Sequence, residues 1–125
     1  MNNRLDFTQD IKVDLIVNRN RNLEKVLHCV YIEDGIEMDF NFEDYDIAMM
    51  HVKKRFEDEK AVLVLSTINN TIQLFAEGRI QFIADNTTMN VRPGEYVYDL
   101  YLYNDVVPKR QFMSGNFIVQ ETVTN

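Results

Sequence analysis

Bulky apolar residues alternate with polar ones along several stretches of this sequence. In residues 36–43 (IEMDFNFE), every second side chain is apolar, and each of the others is acidic or asparagine. In residues 95–103 (EYVYDLYLY), the side chains at 96, 98, 100 and 102 fall on one side of a similar alternation. A strand places every second residue on one face, whereas a helix would scatter these residues around its axis. The pattern therefore predicts half-buried β-strands.

Runs of this kind recur at intervals of roughly ten residues, with turn residues between them. The predicted strands lie at residues 11–17, 26–32, 36–42, 62–65, 72–75, 80–83, 95–103 and 111–120. Short strands at this spacing are typical of an antiparallel sandwich or barrel, and not of a fold that alternates strands with helices. We predict an all-β protein of seven to nine short strands.

The segment from Asp44 to Phe56 fits two structures. The side chains at 45, 49, 52 and 56 have the spacing of one helical face, and Asp44 or Asp46 is a suitable N-cap. The side chains at 48, 50 and 52 also alternate as they would in a strand that ends near the basic residues 53–55. From these residues alone, helix and strand both remain open.

Length and charge restrict the kinds of protein that this chain can be. Its 125 residues suit a single domain, 1–125, with residues 1–9 as an N-terminal arm. The 13 basic and 20 acidic side chains give a net charge of −7, which disfavours nucleic-acid binding because phosphate neutralisation requires a basic surface. We expect no membrane segment, since no apolar run approaches the ~20 residues that span a bilayer, and no signal peptide is recognisable. A single cysteine, Cys29, excludes an intrachain disulfide and suits a reducing compartment.

The residues with catalytic or metal-binding chemistry do not form a recognisable motif. His28 and His51 lack the ligand spacing of a zinc site, and a thiol such as Cys29 within an apolar strand is usually inert. The sequence contains no glycine-rich phosphate loop, no Gly-x-Ser-x-Gly and no His-Glu-x-x-His. We therefore expect no enzymatic activity, no cofactor and no small-molecule substrate.

Seven acidic side chains fall between residues 33 and 46. If residues 36–42 form one strand, Asp39, Asn41 and Glu43 share a face and could hold a hard cation through oxygen ligands. The ligand pattern of a calcium-binding loop is absent, however, and a solvated strand face explains the cluster better. We predict no metal site in this stretch.

Two groups of opposite charge are candidates for a protein–protein interface. The polar loop at residues 18–22 carries Arg19 and Arg21, and the acidic stretch carries Glu37, Asp39 and Glu43. Surfaces of opposite charge steer association and suppress wrong registers. We predict that this loop meets an acidic face on a neighbouring subunit.

Tyrosines supply a third candidate surface. Tyr101 and Tyr103 alternate with the apolar face of the strand at 95–103, so they are expected to point outward. Exposed aromatic rings bind protein partners and also sugars. A sugar- or receptor-binding module is therefore the alternative to an assembly protein.

Pro93 and Gly94 form a turn signal directly before the strand at 95–103, and Tyr96 follows near the start of that strand. A tyrosine at this position can donate a hydrogen bond to the upstream backbone and so fix the turn. The tyrosine corner of immunoglobulin-like sandwiches works in this way.

The run Pro93-Gly94-Glu95-Tyr96-Val97-Tyr98-Asp99, followed by Gly115-Asn116-Phe117-Ile118-Val119, resembles a family of tailed-phage and prophage virion domains. These domains are immunoglobulin-like sandwiches similar to the N-terminal domain of phage baseplate upper proteins. The residues from Gly35 to Asp39, Arg55 and the final Val123-Thr124-Asn125 also fit the family pattern.

The resemblance implies an immunoglobulin-like antiparallel β-sandwich in which the segment 44–56 begins with a turn and becomes a strand. It implies structural roles for the turn and tyrosine-corner residues, which are Pro93, Gly94, Tyr96, Tyr98, Asp99 and Gly115. The implied function is that of a virion structural component in a tail, baseplate, connector or capsid-decorating position. Its partners would be other virion proteins or further copies of itself, and it would be made in the cytoplasm of a bacterial host.

Overall fold

The computed structural model describes residues 4–6, 12–43, 45–105 and 110–121, and the regular elements in these residues are all strands. They are β1 (Arg4–Asp6), β2 (Leu15–Asn18), β3 (Leu23–Glu33), β4 (Ile36–Asp39), β5 (Ile47–Lys53), β6 (Leu63–Ser66), β7 (Ile72–Phe75), β8 (Arg79–Ala84), β9 (Gly94–Tyr103) and β10 (Arg110–Gln120).

The strands form two five-stranded sheets. The first sheet has the order β1-β3-β8-β7, with β4 paired to β3, and the second has the order β2-β10-β9-β5-β6. The pairings between these strands are antiparallel except β1 with β3 and β2 with β10, and an isolated bridge between Lys12 and Ser114 is also parallel. Buried side chains from both sheets, such as Phe82 and Leu100, belong to one hydrophobic core. The predicted all-β sandwich is confirmed.

The described chain has ten strands where seven to nine were predicted, and part of the difference lies at the N-terminus. Residues Arg4–Asp6, within the predicted arm, form β1 and pair in parallel with β3. The strand predicted at 11–17 begins only at Leu15, because the side chain of Asp14 accepts the backbone N–H of Asn116 and interrupts the ladder. Predicted features at Ile11, Asp44 and Val123-Thr124-Asn125 lie outside the described residues.

The ambiguous segment after residue 44 contains β5, which is a strand as the resemblance implies. Its side chains alternate regularly between buried and half-buried along Ile47–Lys53. Ala48, Met50 and Val52 point into the core, with none of their surface exposed. The heptad spacing that favoured a helix is therefore coincidental in this segment.

The single strand predicted at 36–42 is wrong in its extent and its burial. β4 stops at Asp39, and all four of its residues are exposed, whereas Phe40 and Phe42 beyond it are buried. The strand ends there because Asn41 turns the chain: its side-chain oxygen accepts the backbone N–H of Glu43 at 2.8 Å. In the described chain β4 pairs with β3 alone, so the β3–β4 hairpin extends beyond the core.

Candidate functional site

The turn before β9 has the hydrogen bond that the sequence predicts for a tyrosine corner. The hydroxyl of Tyr96 donates to the carbonyl oxygen of Arg92 at 2.6 Å, across the Pro93-Gly94 turn. The Tyr96 side chain is buried in the core, with 9% of its surface exposed. The ring therefore fixes the turn to the second sheet. This tyrosine corner and the two-sheet core are together the features of an immunoglobulin-like sandwich.

We expect Tyr96→Phe to lower the free energy of unfolding by about 1–2 kcal/mol, because the part-buried hydrogen bond from the Tyr96 hydroxyl to the carbonyl oxygen of Arg92 is lost. Tyr101→Phe is the matched control, since Tyr101 is only half-buried on the outer face of the same strand. Urea unfolding followed by fluorescence would measure both variants. If both variants lost equally little free energy of unfolding, the hydrogen bond of the tyrosine corner would not stabilise the fold.

A second tyrosine of the same motif binds a distant part of the backbone. The hydroxyl of Tyr98, which is almost fully buried, donates to the carbonyl oxygen of Val13 at 2.5 Å. The N–H of Val13 donates to the carbonyl oxygen of Ser114 at 2.9 Å. Burial raises the pKa of Tyr98, and the negative charges of Asp14 and Asp99 raise it further. The motif thus holds the segment that leads into β2 against β9 and β10.

Gly115 completes this contact with Val13. It pairs with Tyr98 across β9 and β10, and a Cβ atom at Gly115 would lie 2.2 Å from the carbonyl oxygen of Val13. Only glycine leaves room for a backbone so close. We call Tyr98, Gly115 and the backbone of Val13 the Val13 clamp. The contact of Val13 with Tyr98 and Gly115 was not predicted, but a glycine inside a strand is the signal that could have indicated a close backbone approach.

Asp99, which the motif groups with the corner residues, lies on the other face of β9. It is half-buried and pairs with Ser114 on one side and His51 on the other. The amide of Gln111 donates to its carboxylate at 3.5 Å. Burial raises the pKa of Tyr101, and the negative charge of Asp99 raises it further.

The two arginines of the predicted basic loop have different surroundings. Arg19 forms an ion pair with Glu121 at 3.6 Å and also donates to the side chain of Asn90 at 3.3 Å. These contacts tie Arg19 to its own domain. Arg21 is exposed and lines an open groove, together with Lys25.

This groove, which we call the basic groove, has a volume of about 410 Å³ and lies where β2 and the start of β3 meet. Its apolar lining includes Ile16, which is 55% exposed, and the buried Met89. Glu24 also lines it and offsets part of the positive charge of Arg21 and Lys25. The groove is large enough for a few side chains, within the ~300–1,000 Å³ range of ligand pockets.

The acidic candidates do not share one strand face as predicted. Glu37 and Asp39 lie on β4, and Asp39 Oδ1 is 2.7 Å from His28 Nε2 on β3. Glu43 lies beyond the end of β4, in a separate groove lined by Phe40 and Tyr45. Within the described residues, no three histidine, cysteine or acidic side chains converge in an arrangement that could hold a metal ion.

The exposed part of the hairpin combines negative charge with apolar surface. We call residues 32–38 (IEDGIEM) the hairpin tip. Ile36 is 62% exposed, Met38 43% and Ile32 37%, so the tip presents apolar side chains to solvent between its acids. Such a combination is typical of a surface that binds another protein.

Tyr101 and Tyr103 lie on the outer face of the second sheet, between neighbouring strands. Tyr101 pairs with Met49 on one side and Gln111 on the other, and Tyr103 pairs with Ile47. Both side chains are half-buried. They lie on the outer face as predicted, although neither ring is fully exposed.

Comparisons with known proteins support the fold. No protein-family model matches the sequence, and no curated protein matches it. The chain is similar to the N-terminal domain of ORF48 from phage TP901-1, with a TM-score of 0.52 and 12% identity over 94% of each chain. It is also similar to part of an endo-β-1,4-mannanase from Thermotoga petrophila, with a TM-score of 0.44, 15% identity and coverage of 85% of this chain.

The chain spans only 18% of the length of that mannanase. The V domain of amphioxus IgVJ-C2 is a further similar structure, with a TM-score of 0.28, 11% identity and coverage of 84% of this chain and 98% of that one. At 12% identity, the likeness to the phage TP901-1 domain shows the fold alone. No helix in the described residues is long and apolar enough to cross a membrane.

Proposed function

We propose that this chain is a structural domain of a bacteriophage or prophage virion, which acts by binding other virion proteins or copies of itself. The observation that carries the proposal is the likeness to the phage TP901-1 domain, which covers 94% of both chains. A likeness over the whole of both domains is more informative than one confined to a part of a large enzyme. The proposed position is a tail, baseplate, connector or capsid-decorating one.

The surface is consistent with this role. The hairpin tip exposes apolar side chains such as Ile36, and the basic groove exposes Ile16 beside positive charge. An assembly would bury these apolar groups against a partner, with the neighbouring charges at the rim of the contact. The proposed mechanism is therefore shape and charge complementarity, without catalysis.

Purified virions provide the test. We expect the chain to co-purify with particles from the phage or induced lysogen that encodes it, at a fixed copy number measured by quantitative mass spectrometry. Deletion of its gene should yield particles that lack a defined substructure in electron micrographs, and expression from a plasmid should restore that substructure. Absence from purified particles, together with normal particles after deletion, would contradict the proposal.

A further inference from the structure

The hairpin tip and the basic groove have opposite charge, and both expose apolar surface. The tip carries Glu33, Asp34 and Glu37 among its seven residues. Arg21 and Lys25 line the groove beside a single acid, Glu24. Apolar contact supplies binding energy, and complementary charge fixes orientation and suppresses wrong pairings. The two surfaces therefore have the chemistry to bind each other.

The hairpin is held in one conformation before any partner binds. Its turn consists of Asp34 and Gly35, with φ angles of 53° and 77°, which is the two-residue Asp-Gly turn that matches the twist of paired strands. The contact between His28 and Asp39, 2.7 Å long, fastens the far end of β4 to β3. A preformed hairpin loses little conformational freedom on docking, so more of its contact energy appears as affinity.

The two surfaces lie at opposite ends of one strand. β3 begins with Leu23, Glu24 and Lys25 in the wall of the basic groove, and it ends at Glu33 in the hairpin tip. The eleven residues of β3 span about 33 Å at ~3.3 Å per residue. A rigid strand of this length keeps the hairpin tip away from the groove of its own chain. Only another chain can bring the two surfaces together.

We propose that the chain associates with itself head to tail, with the hairpin tip of one copy seated in the basic groove of the next. Ile36 and Met38 would lie against the apolar lining near Ile16, and the acids of the tip would face Arg21 and Lys25. Such a contact joins two different surfaces, so it repeats and closes into a ring or extends as a filament. This inference rests on the proposed function, since it names a second copy of the chain as a partner in the assembly.

Sedimentation velocity of the purified protein across a range of concentrations tests the contact. We expect species larger than a monomer, and weaker association as salt rises, because charge steering is screened over ~8–10 Å at physiological ionic strength. Arg21→Glu with Lys25→Glu should weaken self-association by at least about tenfold, as should Glu33→Lys with Glu37→Lys. Lys54→Glu is the matched control, since this exposed lysine lies outside the groove.

Mixing the two double variants distinguishes a head-to-tail contact from any symmetric one. The groove variant retains an intact hairpin tip, and the tip variant retains an intact groove. We expect the mixture to regain association that each variant alone has lost, because the intact tip fits the intact groove and the two reversed surfaces are again opposite in charge. Unchanged melting temperatures of both variants would show that the substitutions act on association and not on folding.

Two results would overturn the head-to-tail contact. One is a wild-type protein that stays monomeric at every concentration, and the other is an oligomer that none of the charge reversals weakens. A monomer found in purified virions would refute this contact and leave the proposed virion role intact. A head-to-tail oligomer absent from virions would refute the virion role and leave the contact intact.

Discussion

Replacing Gly115 by alanine should lower the free energy of unfolding by about 3 kcal/mol, the upper part of the range for overpacking in a tight interior. The added Cβ would lie 2.2 Å from the carbonyl oxygen of Val13 and 2.8 Å from its carbonyl carbon. The obstructing atoms are backbone, so they cannot rotate away as the end of a side chain could. The segment that leads into β2 must therefore move, which also breaks its hydrogen bond with Tyr98.

Gly94 is the matched control for this substitution. Its φ of 156° is almost the same as the 158° of Gly115, so an alanine has nearly the same backbone preference at both positions. A Cβ at Gly94 would meet only the ring of Tyr96, at 3.8 Å, which is ordinary van der Waals contact. Urea unfolding of the two alanine variants should therefore show a much larger loss at Gly115. Equal losses would mean that position 115 requires glycine because of its backbone angle, and not because of the Val13 clamp.

The motif around Pro93 shows which contacts a sequence can reveal. The hydrogen bond from Tyr96 joins residues only four positions apart, so local spacing was enough to predict it. The bond from Tyr98 to Val13 joins residues 85 positions apart, and no local pattern connects them. Long-range partners of this kind depend on how the strands are ordered in the sheet, which periodicity does not specify.

Local patterns likewise explain why some strand predictions were correct and others were wrong. Residues 72–75 were predicted correctly to the residue, and β9 begins one residue before the predicted start and ends as predicted, because turn residues bound each strand in the sequence. The alternation at 36–42 gave the correct period but the wrong burial, since Phe40 is buried and Ile36 is exposed. Period-two patterns show that residues share a face. They do not show where the neighbouring sheet ends and a hairpin begins to project.

Charge patterns were informative in a similar, partial way. The sequence predicted a basic loop that carries Arg19 and Arg21. In the structure, the two arginines have different surroundings. Arg19 is engaged by Glu121 and Asn90 within its own domain. Lys25, which was not among the predicted interface residues, lines the basic groove beside Arg21 instead. Its position there follows from the meeting of β2 and β3, which residue spacing could not reveal.

Stability should fall steeply above pH 9. Burial raises the pKa of the Cys29 thiol to about 12, whereas the same thiol in the unfolded chain ionises near 9.0. The stability that the buried thiol contributes is fully present below pH 9. It is lost as the pH rises towards 12, because only the unfolded chain releases the proton in that interval. At ~1.4 kcal/mol per pKa unit, the full loss is about 4 kcal/mol. Burial and the nearby carboxylates also raise the pKa of Tyr98. Its ionisation in the unfolded chain therefore lowers the stability further above pH 10.

The midpoint of urea unfolding, measured in steps from pH 8 to pH 11 with a reductant present, would show this loss. Cys29→Ala separates the two groups, since it removes the thiol and leaves Tyr98 in place. The variant starts from a lower stability because of the cavity, but its midpoint should change little between pH 9 and pH 10. The wild-type protein loses up to ~1.4 kcal/mol per pH unit from this thiol in the same interval. Parallel pH curves for the two proteins would show that Cys29 ionises as readily in the folded chain as in the unfolded one, contrary to its complete burial in the core on β3.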